Sequence, residues 1–267
     1  MFLNYLRTLL LKLGVSIERA TSEAQLRAIA ELYWPIKPSG IDLVRIGGDA
    51  DGGYVVPNCF DDIRECYSPG VDSISEFEIH LTRFGISSHL IDCSVDQPPG
   101  EFCFGSFTKK FLGPVTQGSF ITMEDWIKKV QLIDSSDAIL QMDIEGAEYA
   151  SILSCPEDLL SAFRIIVIEL HGLEALSNRW FSRIFNDFSN KLMKNHKVVH
   201  LHPNNFSSQV SIRGFYVNPL LEVTLLRNDY IGDSEPSYVT SFPGPLDFRN
   251  LANRKDVKLS PDWYCSN

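Results

Sequence analysis

Residues 139–149 read ILQMDIEGAEY, an apolar run that reaches Met142 and then gives Asp143, Ile144, Glu145 and a glycine. Side chains alternate along an extended chain, so Asp143 and Glu145 are expected on one face, with Met142 and Ile144 on the other. Two anions held together away from water are costly, through desolvation and mutual repulsion. The pair therefore calls for a positive charge or a donor-rich ligand. Other apolar runs also end on polar residues. The first gives Ser68-Pro69-Gly70-Val71-Asp72, the second Asp92, the fifth Glu169 and His171, and the sixth His200, His202, Asn204 and Asn205. Carboxylates and imidazoles are the groups that move protons and bind hard cations.

Positioning such groups takes a scaffold. The chain has 267 residues, of which 44% are hydrophobic and 22% charged, the composition of an ordinary globular protein with one large domain and appendages. A formal charge of −10 and the lack of any Lys/Arg cluster argue against nucleic acid, which needs a basic stripe. Six cysteines (Cys59, Cys66, Cys93, Cys103, Cys155, Cys265) form no CxxC pair, which reads as reduced thiols in a cytoplasmic protein. The opening stretch MFLNYLRTLLLKLG has helical apolar spacing but is too short to span a bilayer, and no small-residue cleavage site follows. It is expected to pack on the domain or on a partner in a homodimer. An amphipathic anchor on a membrane surface is the alternative.

After the helices of about residues 2–35, Asp51-Gly52-Gly53 marks a turn between short apolar segments, which predicts a β-hairpin. From Cys66 onward strand and helix patterns alternate. Strands are expected at 65–71, 88–95, near 102–107, and at 138–144, 164–170, 197–202 and 221–226. Helices are expected at 73–85, where Ser73 and Glu76 make a capping box, at 122–130 with Thr122 as N-cap, and after Gly146. The clearest helix carries Leu176, Trp180, Phe181, Ile184, Phe185, Phe188 and Leu192 in one rhythm. Alternating elements with near-continuous apolar strands predict an α/β fold, a mostly parallel sheet with helices on both faces. The last two strands have no helix pattern between them and could pair antiparallel. The expected division is an appended region 1–63, a core domain 64–227 and an irregular tail 228–267.

Ligands of such a sheet lie beyond the carboxyl ends of its strands. Asp92, about twenty residues past the first strand–helix turn, has the position of a carboxylate that grips ribose hydroxyls; a plain turn Asp is the alternative. The first loop holds only Gly70 where a dinucleotide loop has three glycines, which counts against NAD and FAD. A nucleoside without a diphosphate fits better. S-adenosylmethionine is one, and its sulfonium and ammonium would meet the acidic groups, with its carboxylate at the start of helix 73–85.

LQMDIEGAEYASIL resembles the strand-ending D-[VI]-E-G-A-E signature of the FkbM-type methyltransferases, a class I S-adenosylmethionine-dependent family. DGGYVVP, SPGVDSISEFE, TMEDWI, IIVIELH, HLHPNN and LLEVTLLR agree in order, over roughly residues 45–227. The resemblance implies a seven-stranded Rossmann-like sheet with an antiparallel last strand, and methyl transfer to a hydroxyl oxygen. It implies that Gly70 and Asp72 line the cofactor loop, with Ser68 beside them at the end of the first strand as a further cofactor-binding candidate, that Asp92 holds the ribose, and that Asp143 and Glu145 face the reacting centre. The single-glycine loop is the departure from the class pattern.

Removing a proton from a hydroxyl at neutral pH takes a base or a metal. Glu145 and His171 are the base candidates, with His200 or His202 behind them, and Asp143 with Glu169 offers oxygen ligands suited to Mg²⁺. Structural alternatives stand beside these. Glu145 could cap the next turn, Glu169 could pair with Arg164, and His200 and His202 could be hydrogen-bonded under the tail. The expected protein is a cytoplasmic transferase acting on a small-molecule or glycan acceptor; the alternative is a binding protein that kept the fold without the chemistry.

Overall fold

The computed structural model describes residues 2–15, 19–71, 75–98, 105–130, 137–232 and 237–265. Two helices, α1 (Phe2–Lys12) and α2 (Glu23–Glu31), lead to an antiparallel hairpin of β1 (Leu43–Ile46) and β2 (Tyr54–Pro57). The central sheet comprises β3 (Glu65–Pro69), β4 (Ser87–Ile91), β5 (Ser106–Thr108), β6 (Ala138–Met142), β7 (Phe163–Leu170), β8 (His196–Pro203) and β9 (Leu221–Arg227). Between its strands run α3 (Glu76–Leu81), α4 (Met123–Lys129), α5 (Glu148–Ser154), α6 (Glu157–Ser161) and α7 (Arg179–Met193).

The spatial order is β8-β9-β7-β6-β3-β4-β5. All neighbours pair parallel except around β9, which is antiparallel to both β7 and β8. The result is a Rossmann-like, mostly parallel seven-stranded sheet. The last two strands do pair antiparallel, but β9 inserts between β7 and β8 and leaves β8 at the edge. From β3 the chain builds outward through β4 and β5, then crosses back to lay β6 on the other side of β3. The reversal opens a crevice at the carboxyl ends of β3 and β6.

Both sheet faces are covered, which is why β6 and β7 are buried along their whole length. Ile139, Ile165, Val167, Val199 and Leu226 face the hairpin and α3, through Tyr54, Val56, Phe77 and Leu81. Leu140, Met142, Ile166, Ile168, Val198 and Leu225 face α2, α4, α5 and α7, through Leu26, Trp126, Ile152, Phe185 and Phe188. Caps start the helices cleanly. Thr122 Oγ1 accepts the Asp125 N–H at 3.2 Å, and Asn178 Oδ1 accepts the Trp180 N–H at 2.8 Å. The expected Ser73 cap lies outside the described residues.

Two expectations about faces need correction. In α7, Phe185, Phe188 and Leu192 are buried but Trp180 and Ile184 point to solvent. At 100° per residue, positions 180 and 184 lie beside the buried stripe rather than in it. In α1 Leu6, Leu9 and Leu11 are exposed, as is Leu13 just past it, and Leu10 is half-buried, so these residues do not pack into the domain core. Among the described residues no helix is long and apolar enough to cross a membrane. Cys59, Cys66, Cys93, Cys155 and Cys265 are free thiols; Cys103 lies outside the described residues. The chain after β9 lays Trp263 against Tyr33 and Phe215 in the core.

Candidate functional site

Three strand ends meet at the crevice. Gly70, just past β3, donates its N–H to Ile91 O at the end of β4 (3.0 Å), and Asp143, just past β6, donates to Pro69 O (3.1 Å). Gly70 has φ +87°, and a Cβ there would lie 1.6 Å from Asp143 O. Only glycine lets these backbones approach so closely. Above them opens a cavity of about 600 Å³, within the range of small-ligand sites. Gly70, Val71, Ile91, Asp92, Asp143 and Glu145 line it from the sheet, Glu78 from α3, and Asp51, Gly52 and Tyr54 from the hairpin. Phe111, Leu112 and Phe120 form an apolar shelf, with the two phenyl rings 5.7 Å apart.

The charged side chains on this wall are Asp51, Glu78, Asp92, Asp143 and Glu145; among the described residues no Lys, Arg or His lines it. Asp92 Oδ1 accepts the Ser94 N–H (2.7 Å), so the carboxylate is held by the turn that follows β4. Glu78 is buried and bonds Ser68 Oγ, which also contacts Gln141 Oε1 at 2.6 Å. Burial pushes the Glu78 carboxyl up, against the Ser68 hydrogen bond that favours its charged form. Ser68, fully buried, therefore supports the wall from beneath and is not part of it. Asp72 lies outside the described residues.

Asp143 and Glu145 do meet on one side, but not by strand alternation. β6 ends at Met142, and Glu145 takes φ +55°, a left-handed conformation that turns its exposed side chain back. Both reach His171: its Nε2 is 3.6 Å from Asp143 Oδ1 and 3.4 Å from Glu145 Oε2. The opposite ring nitrogen, Nδ1, lies 3.1 Å from Glu148 Oε1, which fixes the ring. That oxygen also accepts the N–H groups of Ile144 (3.0 Å) and Gly146 (3.2 Å). Glu148, not Glu145, caps the turn. Burial lowers the His171 pKa, but the hydrogen bond and charge of Glu148 and the charges of Asp143 and Glu145 outweigh it, leaving it above the ordinary imidazole value. Asp143 is pushed up to about 6, chiefly by burial, with the His171 charge opposing.

Glu169 stands behind the wall rather than on it. It is buried and accepts a hydrogen bond from Asn204 Nδ2 at 2.8 Å; burial and the Asp143 charge raise its pKa well above the usual range. Arg164 pairs instead with Asp137 (2.8 Å). In the sheet register Glu169 faces Glu222 and Glu222 faces His202, so a row of buried ionisable groups crosses β7, β9 and β8. His202 and His200 lie at its far end under the tail, 3.5 and 3.0 Å from Asp247 Oδ1, and neither reaches the cavity. The bonded-under-the-tail alternative describes His200, whereas His202 lies under the tail with both ring nitrogens buried and without a hydrogen-bond partner among the described residues.

The structure thus brings Gly70, Asp92, Asp143 and Glu145 together on the cavity wall, sets His171 against the last two, and leaves Ser68, Glu169 and His202 behind them. As possible cation ligands, donor atoms of Asp143, Glu145 and His171 lie within 4.8 Å of one another; Glu169 is not in this group. Sequence reasoning missed Glu148, Glu78 and Tyr54. Glu148 had a signal, as the second acid of the same D-I-E-G-A-E stretch. Glu78 had none, since a polar residue beside Phe77 reads as a helix's wet face.

No family model matches the sequence, and no curated protein does. Among solved structures, the chain is similar to one described as "Conversion of a Disulfide Bond into a Thioacetal Group during Echinomycin Biosynthesis". The likeness covers 62% of this chain and 76% of that one, at 10% identity and a TM-score of 0.29, too shallow to carry any argument about chemistry.

Proposed function

We propose that the chain is an S-adenosylmethionine-dependent methyltransferase acting on a hydroxyl group of a small molecule or glycan. One observation carries this: among the described residues, the charged groups on the wall of the cavity at the strand-order reversal are all carboxylates. Such a wall favours a cationic, hydroxyl-bearing ligand and disfavours phosphates. The resemblance of residues 45–227 to the FkbM-type family supports the same reading.

When bound, S-adenosylmethionine supplies a methyl group on a sulfonium centre. Asp92 would accept the ribose hydroxyls, Glu78 would pair with the ammonium group, and Phe111, Leu112 and Phe120 would flank the purine. His171 is the base. Its Nε2 takes the acceptor hydroxyl's proton as that oxygen becomes a nucleophile, and Asp143 and Glu145 stabilise the imidazolium that results. Glu148 holds the ring in the tautomer with Nε2 available. A second reading follows from the spacing of Asp143, Glu145 and His171, whose donor atoms lie within 4.8 Å and fit a divalent ion. An imidazole ligand suits Mn²⁺, Fe²⁺ or Zn²⁺ better than the Mg²⁺ expected with an all-oxygen pair.

Calorimetric titration with S-adenosylmethionine, S-adenosylhomocysteine and NAD tests the proposal. Binding of the first two and not NAD is expected, with Asp92→Asn weakening it about 10-fold or more, the loss of roughly one charged hydrogen bond. Silence from both adenosyl compounds defeats it and leaves a binding protein of another specificity. Turnover that survives EDTA and dialysis removes the metal reading. His171→Ala is expected to lower turnover by about 10²–10⁴ while sparing S-adenosylhomocysteine binding.

A further inference from the structure

We propose that α1 is a docking element for an anionic lipid surface. At 100° per residue, seven of the eight apolar positions between 2 and 13 (2, 3, 5, 6, 9, 10 and 13) fall within an arc of about 160°, with Leu11 on the opposite side. Arg7 and Lys12 stand at the two margins of that arc, and Thr8 lies on the far side with Asn4. Cations bordering an apolar face are what a helix lying in a headgroup layer needs. The apolar side chains enter the acyl boundary while the long basic ones reach back to the headgroups.

The face is open. Tyr5 is 73% exposed, Leu9 48% and Leu13 72%, where a helix packed on its own domain would bury this stripe, as α7 does. The charge of this stretch selects the occupant. The first 17 residues hold Arg7 and Lys12 and no acid, whereas the whole chain carries −10. A second copy docking on α1 through the same face would bring its own Arg7 and Lys12 against these, like against like. A negative lipid surface matches both the stripe and its margins. At 11 residues the helix is too short to cross a bilayer, so it would lie on the surface.

The test is cosedimentation of the full chain with phosphatidylcholine vesicles and with vesicles containing phosphatidylserine, at low and high salt. At least about a 10-fold preference for the phosphatidylserine vesicles is expected, weakening as salt screens the cations. Leu9→Glu with Leu13→Glu should abolish binding. Arg7→Glu with Lys12→Glu should erase the preference. These side chains are exposed, so circular dichroism and the melting temperature should not change, which excludes misfolding as the cause. Equal recovery with both vesicle types, or none with either, overturns the proposal. So does sedimentation equilibrium showing a dimer that Leu9→Glu dissociates, which would assign the face to a second copy.

Discussion

Glu148 shows how one buried residue can govern another's chemistry. Its carboxylate is fully buried, caps the turn after β6 and holds His171 Nδ1 at 3.1 Å. The proposed base works only when neutral, so turnover is expected to fall as pH drops through the His171 pKa. That pKa stands above its ordinary value of 6.5, with Glu148 the largest contribution raising it. Glu148→Gln keeps an oxygen for the two backbone N–H groups and removes the charge. The acid limb of the kcat–pH profile is therefore expected to move to lower pH. A purely structural role would reduce stability or turnover without moving the limb. Glu145 is a lesser partner, because its side chain is 87% exposed and its interaction with His171 is screened by water. Glu145→Gln should spare S-adenosylhomocysteine binding and slow turnover less than His171→Ala. The D-I-E-G-A-E stretch announced an acidic site, but not which acid faces the cavity and which lies beneath it. That depends on a backbone turn, set by Glu145 at φ +55° and Gly146 at φ +100°.

Between elements, the crevice depends on how closely β3 and β6 approach. Gly70→Ala would set a Cβ 1.6 Å from Asp143 O, at a φ that L residues rarely adopt. The strand ends must separate, at an expected cost of about 2–3 kcal/mol in a urea unfolding measurement, together with loss of ligand binding. α7 offers a test of face assignment. Phe188→Ala should cost about 3–5 kcal/mol, since the ring is wholly buried, while Ile184→Ala should stay within about 0.5 kcal/mol. The sequence pattern could not separate these two positions, because apolar residues occur on both faces of this helix. What assigns the inner face is contact, as when Tyr149 on α5 packs its ring against Phe185 and Phe188.

Across the whole molecule, the buried row from Asp143 through Glu169 and Glu222 to His202 joins the cavity to the tail. Asn250 of the tail donates to Glu222 at 2.6 Å and to Asp51, on the cavity wall, at 3.2 Å. Burial pushes the Glu222 carboxyl from 4.5 up to about 8, against the Asn250 hydrogen bond and the Arg45 charge. A folded-state pKa above the unfolded one means that the unfolded chain loses the proton first as pH rises. Stability from this group is therefore complete below about pH 4.5 and drains away up to about pH 8. Glu222→Gln should flatten that part of the Tm–pH curve and leave the variant more stable than wild type above pH 8, by an amount on the order of a few kcal/mol. Asp247 acts in the opposite sense. Burial raises its pKa, but His200 and His202 bring it below 3.8, so its contribution is lost only in strong acid.

The amino-acid sequence by itself determined the elements, because periodicity and capping are local. Apolar runs marked β6, β7 and β9, Thr122 marked the start of α4, and the alternation of strand and helix patterns implied a mostly parallel sheet. It also carried the acidic D-I-E-G-A-E stretch and the lone glycine of the first loop. Only the tertiary structure decided where β9 inserts, which histidine stands beside the carboxylates, and that Glu169 and His202 lie behind the cavity wall. Those outcomes depend on register between strands far apart in the chain and on single backbone dihedrals. Neither leaves a trace in the spacing of residues along one strand.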